Sequence, residues 1–470
     1  MTKQATLAVA VAFLGLAVVV ASPVGTRAET LHQALSSAYA TNPGLESERA
    51  RLRALDEEVP RAKSGYRPNI FGNADVESRY TKSAPSIAAD GSLYPSGYGV
   101  NLNQPIFRGF QTLNAVREAE ATVRAGRENL RAVEQQTLAD GVTSYVDVIR
   151  DGAIVRLRRN NVRVLSRELK ATQDRFSVGE VTRTDVAQSE SRRAGSISDL
   201  DSAKADLQRS RAVYERVVGH PPVGLVEPPP IDRLLPGSQE EAVQIAESEN
   251  PSVTSAAFSE RAAQHAKDRI FGELLPQVDL EASYERRFDP SQFFERVERT
   301  TVTGRLTVPF YQGGEVSARV RQAEQERQSR FQEIEDARVQ SRSDVVSAWS
   351  RLVSEQARLV SDRKQVEANQ TALTGVREEE KVGQRTILDV LNAEQELLDA
   401  QVELVVTRRD LVVASYAVLF AIGRLTAADL SLSTEVYDPE EYYHLVKPKW
   451  WGVTVTREVG YAGYDGSIKD

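Results

Sequence analysis

The sequence predicts a mainly α-helical chain that lends four strands to a membrane β-barrel and repeats this unit twice. Three observations predict it: an internal repeat, two long proline-free spans, and four segments of two-residue alternation. Asn42-Pro43 recurs as Asn250-Pro251 and Pro68 as Pro276, 208 positions on. From there the offset is 204, linking Pro105/Pro309, Gly109/Gly313, Val178-Gly179/Val382-Gly383, Thr182/Thr386, Asp185-Val186/Asp389-Val390 and Gly219/Gly423. So constant an offset means long elements whose lengths cannot drift, and the period is too long for a solenoid. The four-residue change falls between Pro68 and Pro105, where a solvent-facing loop absorbs it.

The chain opens with Lys3, an apolar run from Ala5 to Val20, then Pro23, Gly25 and the small residue Ala28. That layout predicts a secretory signal peptide over 1–28. A first α/β unit is expected over 29–218, with strands at about 66–80 and 97–107 and a helical hairpin over 110–218. Pro221, Pro222, Pro228, Pro229, Pro230 and Pro236 make 219–237 a stiff linker. The second unit spans 238–430, with strands at about 276–287 and 300–310 and a hairpin over 314–423. The tail, 431–470, carries Tyr442-Tyr443 and Trp450-Trp451, and the sequence leaves open whether it packs on the helices.

Residues 110–219 and 311–438 hold no proline and are rich in good helix formers. Their apolar spacing is heptad-like. Val162, Leu165, Leu169, Thr172 and Phe176 step by 3 and 4, as do Leu200, Ala203, Leu207, Ser210, Tyr214 and Val217. Val345, Leu352, Leu359, Val366 and Leu373 fall seven apart, with polar residues at the alternate seam positions. This is a coiled-coil seam too thin for a compact globular core. Each span breaks once, at Ser177-Val178-Gly179-Glu180 and Lys381-Val382-Gly383-Gln384, where glycine ends one helix before the next begins. Each unit is therefore a hairpin with one arm ~100 Å long and one about half that. The helices at about 44–64 and 252–274 are expected to stack on the shorter arms.

In Ile70, Gly72, Ala74, Val76, Ser78 and Tyr80 apolar or small residues alternate with polar neighbours, and so do Val278, Leu280, Ala282 and Tyr284. Tyr98, Val100 and Leu102, and then Val302, Gly304, Leu306 and Val308, repeat the pattern. Such alternation is a strand signature, and strands of about ten residues with one charged face suit a barrel with lipid outside and water inside. Four strands cannot close a barrel, and lipid tolerates no open sheet edge, so several chains must share one. Three copies giving twelve strands is the expectation.

Composition narrows the function further. Losing residues 1–28 removes Lys3 and Arg27 and no acid, so the net charge of −8 becomes −10, which argues against nucleic acid. The chain has no cysteine, so disulfides and thiolate metal sites are excluded. His32, His220, His265 and His444 are scattered without ligand spacing, and no phosphate loop or nucleophile elbow is present, so neither catalysis nor a cofactor is expected.

At the strand-to-helix junctions Gln104-Pro105-Ile106-Phe107-Arg108-Gly109 and Val308-Pro309-Phe310-Tyr311-Gln312-Gly313-Gly314, and at the paired turns 178–186 and 382–392, the chain resembles the TolC-like outer-membrane exit-duct family. The resemblance covers about 30–430, with Phe110 where the family usually repeats glycine. It implies a homotrimer embedded in outer-membrane lipid, with a twelve-stranded barrel continued by a twelve-helix periplasmic tunnel. It also implies a periplasmic membrane-fusion adaptor and an inner-membrane RND or ABC transporter as partners. By position, Arg385 and Asp389 stand where the family places a constricting Arg and Asp, with Thr184 and Asp185 on the facing turn. Asn392 replaces a second aperture Asp, and Glu380 replaces a frequent Tyr. Val178, Gly179, Glu180, Val382, Gly383 and Gln384 are the expected docking tips for the adaptor. Read without the resemblance, the alternative for Asp389 is that it caps the start of the returning helix. A periplasmic coiled-coil adaptor without a pore is the alternative function; it would use the strand pairs in a soluble barrel.

Overall fold

The computed structural model describes residues 28–82 and 91–455; the expected signal peptide up to residue 27 and the end of the tail lie outside the described residues. Three helices, α1 (Leu31–Thr41), α2 (Pro43–Asp56) and α3 (Glu58–Lys63), lead into β1 (Asn69–Val76), β2 (Arg79–Thr81), β3 (Gly91–Leu93) and β4 (Ser96–Arg108). The hairpin α4 (Gln111–Ser177) and α5 (Arg183–Val218) follows. The second unit is α6 (Gln239–Glu249), α7 (Pro251–Phe271), β5 (Gln277–Ser291), β6 (Phe294–Thr307), α8 (Glu315–Lys381) and α9 (Ile387–Ile422), with α10 (Glu441–Val446) in the tail. α4 and α8 have 67 residues each, ~100 Å of helix, and α5 and α9 have 36 each, ~54 Å. Every bound of α8 and α9 lies 204 positions after its counterpart in α4 and α5.

The recurring Asn-Pro pairs join the short helices to the short arms. Asn42 accepts hydrogen bonds from the Gly44 and Leu45 amides, capping α2, while its Nδ2 donates to the Val217 carbonyl at the end of α5. Asn250 does the same for α7, accepting from Ser252 and donating to the Ala421 carbonyl at 2.9 Å. One side chain thus satisfies orphan groups at two helix ends, which stacks α2 on α5 and α7 on α9.

The hairpin seams follow the heptads. Leu165, Leu169 and Thr172 are buried in α4, Leu200, Ala203, Ser210, Tyr214 and Val217 in α5, and Val345, Leu352 and Leu373 in α8. Phe176 departs from this expectation: on the last turn of α4, beyond the Thr172–Ser189 contact, it is 45% exposed. At the waist, α1, α4, α5, α6, α9 and the linker share the largest apolar core. Fully buried Tyr145 donates to the carbonyl of Glu29 at 2.8 Å or of Val226 at 2.6 Å, clamping the linker. Tyr214 donates to the Glu29 carboxylate at 2.7 Å. The tail packs on this assembly: Tyr442 donates to Glu57, Tyr443 to Glu120, and the guanidinium of Arg49 sits between the rings of Tyr39 and Tyr437.

The four long strands form one antiparallel sheet, β1-β4-β5-β6. Residues paired across strands share a face, so the register sorts the side chains. Ile70, Leu102, Ala282 and Val302 make one row, and Gly72, Val100, Tyr284 and Thr300 the next. On the other face run Asn73, Gly99, Glu285 and Arg299, then Asp75, Gly97, Arg287 and Val297. Arg305 bonds both oxygens of Glu281 at 2.9 Å on that polar face. The strand bounds differ from the sequence expectation in two places. Tyr80 belongs to the separate β2–β3 hairpin, and β5–β6 runs on to Ser291 and Phe294 past a bulge where Asp289 has φ 45°. There the backbone ladder and the Arg286–Glu298 ion pair at 3.2 Å carry the hairpin after side-chain alternation has lapsed. Among the described residues no helix is long and apolar enough to cross a membrane.

Candidate functional site

The candidate site is the pair of turns at the far end of the hairpins, with the last turns of α4 and α8 and the first turns of α5 and α9. Gly179 and Gly383 reverse the chain at φ 84° and 77°, a left-handed conformation that a Cβ disfavours. The Glu180 amide donates to the Arg175 carbonyl and the Gln384 amide to that of Glu379, closing the two long helices alike. Val178 and Val382, at the tips, are both 70% exposed.

Thr182 and Thr386 restart the helices. Each hydroxyl accepts from the amide three residues on, while Asp185 and Asp389 accept from the amide and hydroxyl of the threonine, completing a reciprocal capping box. Asp389 is therefore a capping residue within one chain. Its carboxyl is held below its ordinary range, first by the Thr386 amide, then by the Thr386 hydroxyl, with Arg385 adding to both. Arg385 donates to Glu379 at 2.8 Å and not to Asp389. Thr184 is exposed on the first turn of α5.

Three arginines that sequence reasoning passed over bind the site together. Arg175 of α4 pairs with Glu380 of α8, and Arg192 of α5 donates to Asn392 of α9 at 2.8 Å, so both arms of one hairpin are tied to the other hairpin. Arg377 pairs across the second hairpin with Glu394. Burial pushes the Glu394 carboxyl up from its ordinary range, and Arg377 opposes part of that shift. A signal was present. At an offset of 204, Arg175 answers to Glu379, Phe176 to Glu380 and Arg192 to Glu396, so the copies diverge in charge at the tips while matching in length. The arrangement can hold two hairpins together by exchangeable polar links, and among the described residues no group of ligands could hold a metal.

Comparison with known proteins identifies the chain. The model for the outer membrane efflux protein family matches residues 34–220 and 242–424, one stretch for each unit. The chain belongs to the outer membrane efflux protein family. It is 40% identical over 427 residues to the outer membrane efflux protein BepC of Brucella suis, covering 90% of this chain and 92% of that one. It is 24% identical to the outer membrane protein TolC of Escherichia coli over 86% of this chain and 84% of that protein. The alkaline protease secretion protein AprF of Pseudomonas aeruginosa is 27% identical over 71% of this chain and 70% of its own length. Among solved structures, the CmeC outer membrane channel of Campylobacter jejuni superposes with a TM-score of 0.77 over 89% of each chain, at 13% identity, which shows the shared fold. The family member described here is an outer-membrane exit duct for efflux or secretion, and the reading as a pore-free scaffold falls away. The helices at the tips are then the periplasmic end, and the apolar rows of the sheet face lipid.

Proposed function

We propose that three copies of this chain close one twelve-stranded barrel and one twelve-helix tunnel serving a tripartite efflux or type I secretion system. Its gate lies at the periplasmic tips, where Arg175–Glu380, Arg192–Asn392 and the Arg385 and Asp389 turn restrain the second hairpin. A membrane-fusion adaptor engages Val178, Gly179 and Glu180 with Val382, Gly383 and Gln384, bringing with it an RND or ABC transporter. Opening exchanges the links between hairpins for contacts with that adaptor.

The observation that carries the assembly is a mismatch between the two copies. Within the chain, the first copy packs against the second: β4 pairs with β5, and Gly109 lies so near Gly272 that an added Cβ would come 2.1 Å from its carbonyl oxygen. At the equivalent Gly313 an added Cβ would meet no other residue within 4 Å, and Phe310 and Tyr311 beside it are 94% and 86% exposed. On α4, Gln135 donates to the Gly423 carbonyl, Val142 is 1% exposed, and Ile149 and Arg156 line a cleft with Val405 and Val412 of α9. Their counterparts 204 positions on are Val339, Val346, Val353 and Val360, a stripe of four exposed valines spaced seven residues apart on α8. The second copy thus offers, unused, the surface that the first has filled. A next protomer, pairing its β1 with this β6 and its α5 with this α8, fills it. Such a head-to-tail contact repeats until the ring closes. Mass measurement in mild detergent tests the count: a trimer is expected, and a monomer overturns the reading. Single-channel recording in planar bilayers tests the gate.

A further inference from the structure

We propose that the C-terminal tail is a membrane-surface anchor, with Trp450 and Trp451 seated in the phospholipid headgroups of the inner leaflet. The inference rests on the exit-duct reading for the position of the bilayer. The tail runs from the waist toward the barrel. Tyr437 meets Tyr39 and Arg49, Tyr442 meets Glu57 on the helix pair below the strands, and Trp450 meets Arg67, two residues before β1. The Arg67 guanidinium lies 4.8 Å from the Trp450 ring centre and donates to the Trp450 carbonyl at 3.4 Å. Ile70, the first lipid-facing apolar residue of β1, is three residues further, ~10 Å at the rise of a strand. Trp450 therefore lies within ~10 Å of the hydrocarbon edge, at headgroup depth, with Trp451 next to it in the chain.

Beyond the Arg67 contact, most of the indole surface is left uncovered by this chain. Trp450 is 69% and Trp451 90% exposed, and Val453 and Val455 beyond them are exposed as well. Tryptophan concentrates where one end of a side chain is apolar and the other wet, and it marks membrane interfaces for that reason. The surrounding charge fits phosphate. Lys63, Arg67 and Lys447 gather on this side, close enough that Lys447 and Arg67 add to burial in lowering the Lys63 ammonium from its ordinary range. Glu120 offsets part of that charge, accepting from Lys447 at 3.2 Å. A basic, aromatic segment continuous with a lipid-facing sheet is the pattern of an interfacial anchor.

The chain has three tryptophans, and Trp349 lies far off in α8. The test uses full-length W349F protein in phosphatidylethanolamine and phosphatidylglycerol vesicles carrying phospholipid brominated near the head of its acyl chains. Emission from Trp450 and Trp451 should shift blue and lose most of its intensity to bromine. Unquenched emission overturns the proposal: a water-like spectrum means a solvent-exposed tail, and a blue-shifted one means cover by a neighbouring protomer. V302W in a background of W349F, W450F and W451F reports the sheet itself. Quenching there with none at the tail rejects only the anchor, whereas no quenching there rejects the membrane face on which the anchor depends.

Discussion

At the scale of single residues, the tips separate helix capping from gating. Removing the charge of Arg175 or Glu380 as R175Q or E380Q leaves helix lengths and caps untouched but cuts one of the two ties between hairpins. Both variants should raise single-channel conductance, and a conductance equal to that of the unmodified channel would remove the link from the gate. T386A acts otherwise. It deletes the hydroxyl that caps α9 and should cost about 1 kcal/mol locally, seen as faster amide exchange at 386–390 without a matching rise in conductance. The acids titrate in opposite directions. Asp389, with its carboxyl depressed, stabilises the turn above its ordinary range and loses that contribution as pH falls through the lowered value. Burial raises the Glu394 carboxyl above its ordinary range, so its protonated form is favoured in the fold and its ion pair with Arg377 is released by acid before an ordinary glutamate would titrate. A pH series of conductance should therefore show a step on the neutral side of the ordinary glutamate range that E394Q abolishes.

At the scale of elements, length and pairing decide the architecture. α4 and α8 each need a partner along ~100 Å, and α5 and α9 supply about half, so the Asn42 and Asn250 junctions supply the rest. N250A removes a cap and strands the Ala421 carbonyl, and should lower the stability of the α7–α9 junction by about 1–2 kcal/mol in thermal denaturation. The valine stripe on α8 makes a different prediction. V346E or V353E places a carboxylate where the counterparts are buried Val142 and Ile149, which lines the cleft with α9, so the fold of one chain should survive while detergent-solubilised material runs as monomer. An intact trimer from both variants would place the interface elsewhere. Much of this scale was legible from sequence, because an offset held at 204 from Pro105 to Gly219 reports element length and a heptad reports a seam. The strand ends at Tyr80 and Asp289 were not, since hydrogen bonding across the sheet continues where side-chain alternation stops.

At the scale of the whole molecule, the chain is half of each interface it needs. Its sheet has two free edges, its second strand-to-helix junction is bare, and one face of α8 is apolar and exposed. Gly109 shows what the closed interface requires. G109A would drive a methyl into the Gly272 carbonyl and strain a backbone at φ 58°, so it should block assembly of the barrel and lower the yield of heat-modifiable trimer in outer membranes. The neighbouring Phe110 holds φ 62° without glycine's freedom and rests edge-on against Phe107 at 5.1 Å, a contact that offsets part of the strain.

By itself the sequence determined the periodic features: two units, the lengths of their helices, the turns between them, and the two faces of each strand. These are local, because period, propensity and breaker residues act over a few positions along the chain. Tertiary structure alone decided which charges meet. Arg175 and Glu380 are 205 positions apart and Arg192 and Asn392 are 200 apart, and no spacing rule joins such pairs until two long helices are laid side by side. It also decided that Arg385 turns to Glu379, and that the tail climbs to the foot of the barrel. Long-range polar partners follow from helix packing, and a periodic pattern of apolar residues specifies only that packing occurs.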